Sequence, residues 1–145
     1  MTIFLCAHCQ TPFSKPVCHL DDLDRLQDKV GDNCYDPPSL VPAGFYVFSD
    51  EVLAVGKMWA ATEQYAAFAP PQEFIFNWED LIRHPTMINE EDVGCCGYTG
   101  GAGYNLFCSN GHVIGTEISD CCMVSYVHIP AINLVSVDSL NLPQL

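Results

Sequence analysis

Short apolar runs, broken at close intervals by turn-forming residues, set the pattern of this chain. Ile3, Phe4 and Leu5 predict a strand from Thr2 to Leu5 that feeds directly into Cys6-Ala7-His8-Cys9. Leu20, Leu23, Leu26 and Val30 recur at helical spacing, with Asp21, Asp22, Asp24 and Asp28 between them. That pattern predicts a short amphipathic helix with an acidic outer face. Asp36-Pro37-Pro38 through Pro42 predicts a stiff extended connection. Gly44-Phe45-Tyr46-Val47-Phe48 is aromatic and β-branched and reads as a strand, with Ser49-Asp50 at a turn and Glu51 to Val55 returning as a second strand. Residues 58–68 are rich in alanine and hold Met58, Trp59, Tyr65 and Phe68, a pattern that suits a helix and a covering loop equally.

Further along, Phe74-Ile75-Phe76 predicts another strand, and Asn77 can cap a short helix through Trp78-Glu79-Asp80-Leu81-Ile82. Pro70-Pro71 bounds this unit in front and Pro85 behind. A glycine-rich loop runs from Gly94 to Gly103. Tyr104 to Phe107, Val113 to Glu117, Met123 to Ile129 and Ile132 to Val137 all have strand character. With no internal repeat, low-complexity tract or long linker, the pattern predicts a single domain over 1–145, α+β in class and richer in strand than helix.

Composition narrows the reading. The chain has 145 residues, 49% of them apolar and only 16% charged, so a packed core is expected rather than disorder. Five Lys and Arg stand against 18 Asp and Glu, giving a formal charge of -13. The cations are Lys15, Arg25, Lys29, Lys57 and Arg83, with none after residue 83. Binding of nucleic acid through phosphate neutralisation is excluded on that balance, whereas an acidic surface speeds encounter with a basic protein partner. The opening Met1-Thr2-Ile3-Phe4-Leu5-Cys6 has no basic stretch and too short an apolar run for a signal peptide, and no stretch has the length of a membrane span. A cytoplasmic protein without membrane association is therefore expected. In a reducing compartment nine cysteines, an odd number, read first as metal ligands and only then as disulfides.

Cys6-Ala7-His8-Cys9 is a C-x2-C pair immediately after a predicted strand, the arrangement of a zinc knuckle, in which one turn aims two thiolates at one ion. Cys108-Ser109-Asn110-Gly111-His112 offers a second turn after a strand, with a thiolate, an imidazole and a glycine for the bend. Together Cys6, Cys9, Cys108 and His112 would form a split zinc ribbon closed across about a hundred residues. Four protein ligands leave no open position, so such a zinc is structural.

Cys95-Cys96 and Cys121-Cys122 form a second set of thiols. Successive side chains of an extended segment point apart, so one cysteine of each doublet is expected to face a metal or the other doublet, with Cys96 and Cys121 favoured. Cys18, His19 and Cys34 can join either site or be buried, and for Cys34 a small core hydrophobe is the simpler reading. His84 and His128 read as histidines satisfied by ordinary partners, and His8 as pointing to solvent.

Gly94-Cys95-Cys96-Gly97 with Gly100, Gly103, Asn105 and Cys108, followed by Gly115-Thr116-Glu117 and Asp120-Cys121, resembles a group of small uncharacterised bacterial cysteine-rich proteins. These zinc-ribbon-like proteins open with a cysteine knuckle and carry a glycine-rich CCG loop, an N-x-x-C knuckle and a GTE-x-x-D-C ending. Phe74 to Leu81 before His84-Pro85 fits the same pattern loosely, so the likeness spans residues 74–122 and the first ten. The resemblance implies a metal-stapled fold and no particular activity. This chain departs from the group in placing His112 where a cysteine is expected and in adding a thiol to each doublet.

Catalytic readings are weaker. A thioredoxin-like C-x-x-C needs a preceding βα unit and a following helix, whereas five residues precede Cys6 and Gln10-Thr11-Pro12 follows Cys9. Residues 97–103 lack the lysine and helix of a phosphate-binding loop. A catalytic zinc would need a free position and a base, for which Glu117, Asp120 and Glu90-Glu91-Asp92 are candidates. No spacing singles out Cys121 with His128 as a nucleophile pair. The sequence thus points to a small acidic protein stabilised by Zn2+ that docks on a basic partner, for instance an inhibitor or immunity protein acting on a basic toxin or nuclease. A metalloenzyme with an open zinc site, or a thiol-rich metal or redox sensor, is the alternative.

Overall fold

The computed structural model describes residues 1–30, 32–33, 35–57, 72–82, 94–101 and 103–141. Eight strands appear among them: β1 (Thr2–Cys6), β2 (Cys18–His19), β3 (Phe45–Phe48), β4 (Glu73–Phe76), β5 (Leu106–Phe107), β6 (Val113–Ile118), β7 (Tyr126–Pro130) and β8 (Leu134–Asp138). A six-stranded sheet has the order β2-β3-β4-β7-β6-β5, antiparallel throughout except for the parallel β2–β3 pair. β1 and β8 form a separate antiparallel pair, in register from Thr2 opposite Asp138 to Cys6 opposite Leu134.

The period-two alternation of the strands divides the core. Ile75 and Tyr126 join Leu20, Leu40, Val41, Val47 and Val52 in one apolar cluster, while their neighbours Phe76 and Val127 join Phe4, Val17, Ile114 and Ile129 in another. The second cluster is built around Phe4 of β1, whose ring lies 5.0 Å from Tyr46, 4.7 Å from Phe74 and 5.0 Å from Phe76. Cys6 and Cys108 belong to this cluster too. The domain is therefore strand-rich, and the α part of the expected α+β class is one short helix among the described residues.

Two expected elements differ. In place of a helix over Leu20 to Val30 there is a single 3-10 turn, Leu23–Arg25. Asp22 accepts a hydrogen bond from the Asp24 amide, while the amides of Leu20 and Gln27 bond to the carbonyls of Tyr46 and Leu40. Aspartate side chains that bond their own backbone compete with helix, and Leu20 and Leu26 still reach the core from an extended chain. In place of a returning strand at Glu51 to Val55, residues Ser49–Ala54 form the helix α1. Glu51 reaches back to accept the Phe48 amide at 2.8 Å, which satisfies a helix-start donor. At Asn77 the side chain does cap a turn, accepting from the Glu79 amide at 2.9 Å, and that turn is the 3-10 segment Trp78–Asp80. Residues 58–68, Pro70-Pro71, His84-Pro85, Glu90-Glu91-Asp92 and Cys34 lie outside the described residues.

Candidate metal centre

Cys6 is the last residue of β1, and the chain turns immediately after it. The Gln10 amide bonds to the Cys6 carbonyl at 2.8 Å, the Cys6 amide bonds to the Thr11 carbonyl at 2.9 Å, and Gln10 takes a left-handed φ of 57°. The turn is pinned to the β7–β8 junction, where Ala7 donates to the Asn133 carbonyl at 2.9 Å and the Asn133 side chain donates to the Ile114 carbonyl at 2.8 Å.

The second turn follows β5. Gly111 (φ 82°) donates to the Cys108 carbonyl, and Cys108 donates to the His112 carbonyl, both at 2.9 Å. Asn105 holds this hairpin to β6 as a strand neighbour would: its Nδ2 donates to the Glu117 carbonyl at 2.9 Å and its Oδ1 accepts from the Glu117 amide at 2.7 Å. Buried amide and carbonyl groups need such partners, which is a structural reason for an asparagine three residues before the cysteine. Across the two turns, Asn110 Nδ2 lies 3.4 Å from Thr11 Oγ1.

These constraints bring the donor atoms of Cys6, Cys9, Cys108 and His112 within 4.8 Å of one another. Cys9 Sγ is 3.7 Å from Cys108 Sγ, His112 Nδ1 is 3.2 Å from Cys108 Sγ, and the same nitrogen is 3.9 Å from Cys6 Sγ. A tetrahedral ion with sulfur at about 2.3 Å holds neighbouring sulfurs about 3.8 Å apart, and a sulfur and an imidazole nitrogen about 3.6 Å apart. Three of the separations are thus close to the edges of a metal-sized tetrahedron, and the four side chains can hold a metal ion. His8 is exposed and stacks on His112, ring centroids 5.0 Å apart and planes inclined by 24°. Hydrogen bonding from the Thr11 hydroxyl and backbone holds the Cys9 thiol down at about 5, whereas burial pushes the Cys6 thiol up.

The second thiol group lies elsewhere. Sγ atoms of Cys95, Cys96 and Cys121 are within 4.8 Å of one another, and Cys122 is disulfide-bonded. Two expectations are corrected here. Both members of the 95/96 doublet turn toward Cys121, because the segment is bent and not extended: the Gly94 amide bonds to the Gly97 carbonyl at 2.7 Å. Cys122 leaves the group, having a left-handed φ of 60° and its sulfur in a disulfide, so the cysteines are not all metal ligands or free thiols. Asp120 organises the loop, its Oδ1 accepting from the amides of Cys96 at 2.7 Å, Gly97 at 3.2 Å and Cys121 at 2.9 Å. Those amides, Cys96 first, hold the Asp120 carboxyl below its usual range. The Cys96 side chain bonds to Cys121 and pushes its thiol up to about 12.

Among the described residues the other histidines belong to neither group. His19 Nδ1 lies 2.8 Å from Asp21, and its Nε2 lies 2.8 Å from Glu51, an arrangement that ties β2 to α1. His128 Nδ1 pairs with the buried Glu73 at 2.8 Å. Cys18 is a free, half-buried thiol on β2. A cavity of about 310 Å³ that no sequence motif signalled opens between Trp78 of the 3-10 turn, Glu117 of β6 and the second thiol group.

Fold and centre together define a strand-rich domain in which two clusters of side chains have the geometry to hold a metal ion. Compared with protein-family models, curated proteins and solved structures, the chain matches none of them. Among the described residues no helix is long and apolar enough to cross a membrane.

Proposed function

We propose that this protein is a zinc-stapled acidic interaction domain, with Zn2+ held by Cys6, Cys9, Cys108 and His112. The observation that carries the metal reading is the convergence of these four donor atoms within 4.8 Å of one another, with three of the separations between 3.2 and 3.9 Å. Three soft thiolates and an imidazole in tetrahedral array favour zinc among the available divalent ions, and four protein ligands make the ion structural. Cys6 and Cys108 are core residues, so the bound ion would join β1 to the β5–β6 hairpin inside the second apolar cluster.

The interaction reading rests on the formal charge of -13. Lys15 spends its ammonium on the Glu79 carbonyl at 2.9 Å, and Arg25 lies 4.7 Å over the Phe45 ring, so neither is committed to a carboxylate side chain. An acidic field of this size suits a basic protein partner, an inhibitor's or immunity protein's role among them.

Native mass spectrometry with elemental analysis on protein purified without added metal tests the staple, which requires zinc bound to the chain and lost from Cys6→Ser. An apo chain with full thermal stability would overturn it. For the partner, capture on immobilised protein followed by a salt gradient should release a basic protein at moderate ionic strength. Salt-insensitive capture, or none, removes the acidic-docking half of the proposal and leaves the staple standing.

A further inference from the structure

The structure assigns a second, chemically different metal centre to Cys95, Cys96 and Cys121: we infer that it is an open three-thiolate site whose fourth position faces the adjoining cavity and takes a soft, neutral donor such as an imidazole-type nitrogen. The inference stands apart from the four-donor staple and does not depend on it.

Three observations carry it. The first is donor number. Sγ atoms of Cys95, Cys96 and Cys121 lie within 4.8 Å of one another, and the cysteine next in sequence to Cys121 has its sulfur in a disulfide. Among the described residues the group therefore has three donors where tetrahedral zinc takes four, and three protein ligands with one exchangeable position is the composition of a working site, not a structural one.

The second is position. Cys96 and Cys121 themselves form part of the wall of the 310 Å³ cavity, together with Trp78 and Glu117. A cavity of that size lies at the small end of the range for small-molecule sites. Its walls combine an aromatic face with polar groups, the Ser119 hydroxyl donating to Glu117 Oε2 at 2.9 Å. By contrast, Cys6 and Cys108 of the staple are buried in the core.

The third is preorganisation. Three amides, two from the Cys96–Gly97 bend and one from Cys121, converge on Asp120 Oδ1 and hold the two thiol segments together without a metal. Gly94 and Gly97 pack so closely on this junction that a Cβ at Gly94 would lie 2.0 Å from Asp120 Oδ2, and one at Gly97 would lie 2.5 Å from the Ser119 carbonyl. The glycines flanking the doublet are thus needed for the bend that turns both thiols the same way.

The ligand class follows from the donors. A divalent ion held by three thiolates has a net charge of about −1 and little remaining attraction for hard oxyanions. Soft neutral nitrogen or sulfur donors fit both that centre and a chain of formal charge -13.

The test uses the full chain exchanged with Co2+, whose visible spectrum reports coordination, and imidazole as the probe ligand. The wild type is expected to bind one metal ion per chain more than the Cys96→Ser/Cys121→Ser variant, which keeps the four-donor group and serves as the folded control. Imidazole should shift the visible bands of the wild type saturably and leave those of the double variant unchanged. Equal metal counts in the two proteins, with Cys95, Cys96 and Cys121 rapidly alkylated in the metal-loaded wild type, would overturn the site. A Cys96–Cys121 disulfide in protein purified under reducing conditions would do the same. An extra ion with no response to imidazole would show the fourth position already filled, and the open centre would be wrong.

Discussion

Cys9 and Cys108 are 99 residues apart in the chain, and their sulfur atoms lie 3.7 Å apart in the fold. That approach depends on two turns, one after β1 and one after β5, each fixed by its own hydrogen bonds before any metal arrives. Because the four donors come from segments about a hundred residues apart and meet only in the folded chain, metal binding and folding should be strongly linked.

Replacement of Cys6 or Cys108 by serine should therefore remove one metal ion and lower stability by several kcal/mol, part from the lost ion and part from a hydroxyl placed in the core. Chemical denaturation with metal analysis of the same sample measures both. His112→Cys should retain the ion, since a thiolate can occupy the same corner. His8→Ala should retain it too, because His8 touches the site only by stacking on the His112 ring. Loss of metal from His8→Ala would mean that the donors have been misassigned.

Gly115 sits on β6 where β7 crosses closely. An added Cβ would lie 2.6 Å from the His128 carbonyl oxygen and 2.7 Å from Ile129 Cγ1, and the backbone carbonyl cannot move aside. Gly115→Ala is expected to cost about 1–3 kcal/mol by overpacking, read as a lower denaturation midpoint at unchanged slope.

Asp120 holds the doublet loop through its side chain, which accepts the Cys96, Gly97 and Cys121 amides, and through its backbone amide, which donates to the Tyr98 carbonyl at 3.1 Å. Asp120→Ala should speed hydrogen exchange at the amides of Cys96 and Gly97, whereas Asp120→Asn, which keeps one oxygen in place, should have a smaller effect. Equal protection in all three proteins would show that the loop is held by something else.

Hydrogen bonding to Glu51, with a smaller contribution from Asp21, raises the His19 pKa above its ordinary 6.5. A raised folded-state pKa stabilises the fold fully below 6.5, and that contribution fades as pH climbs through the higher folded value. The stability difference between wild type and His19→Gln should therefore be largest below pH 6.5 and shrink at higher pH. Urea midpoints across neutral pH with metal held saturating check this, and a difference that grows with pH would refute the pairing.

Strands were more legible than helices in this chain. Runs such as Phe74-Ile75-Phe76 and Val113 to Glu117 lie in β4 and β6 because alternation matches a sheet with apolar clusters on both faces. The leucine spacing from Leu20 to Val30 misled because two spaced leucines can enter a core from an extended chain around one turn. Glu51 to Val55 misled because a single capping bond to Phe48 favours a helix that residue type alone does not specify.

By itself the sequence determined the acidic surface, the strand-rich character and the two short turns that carry Cys6, Cys9, Cys108 and His112, since these depend on composition and on residues within a few positions of one another. Only the tertiary structure decided which sulfurs meet. Asn133, bonded to both Ala7 and Ile114, ties the turn after β1 to the six-stranded sheet, the Asp120 carboxylate bends Cys95 and Cys96 toward Cys121, and Cys122 turns away with its left-handed backbone. Such choices belong to contacts between distant segments, whose geometry no local spacing contains.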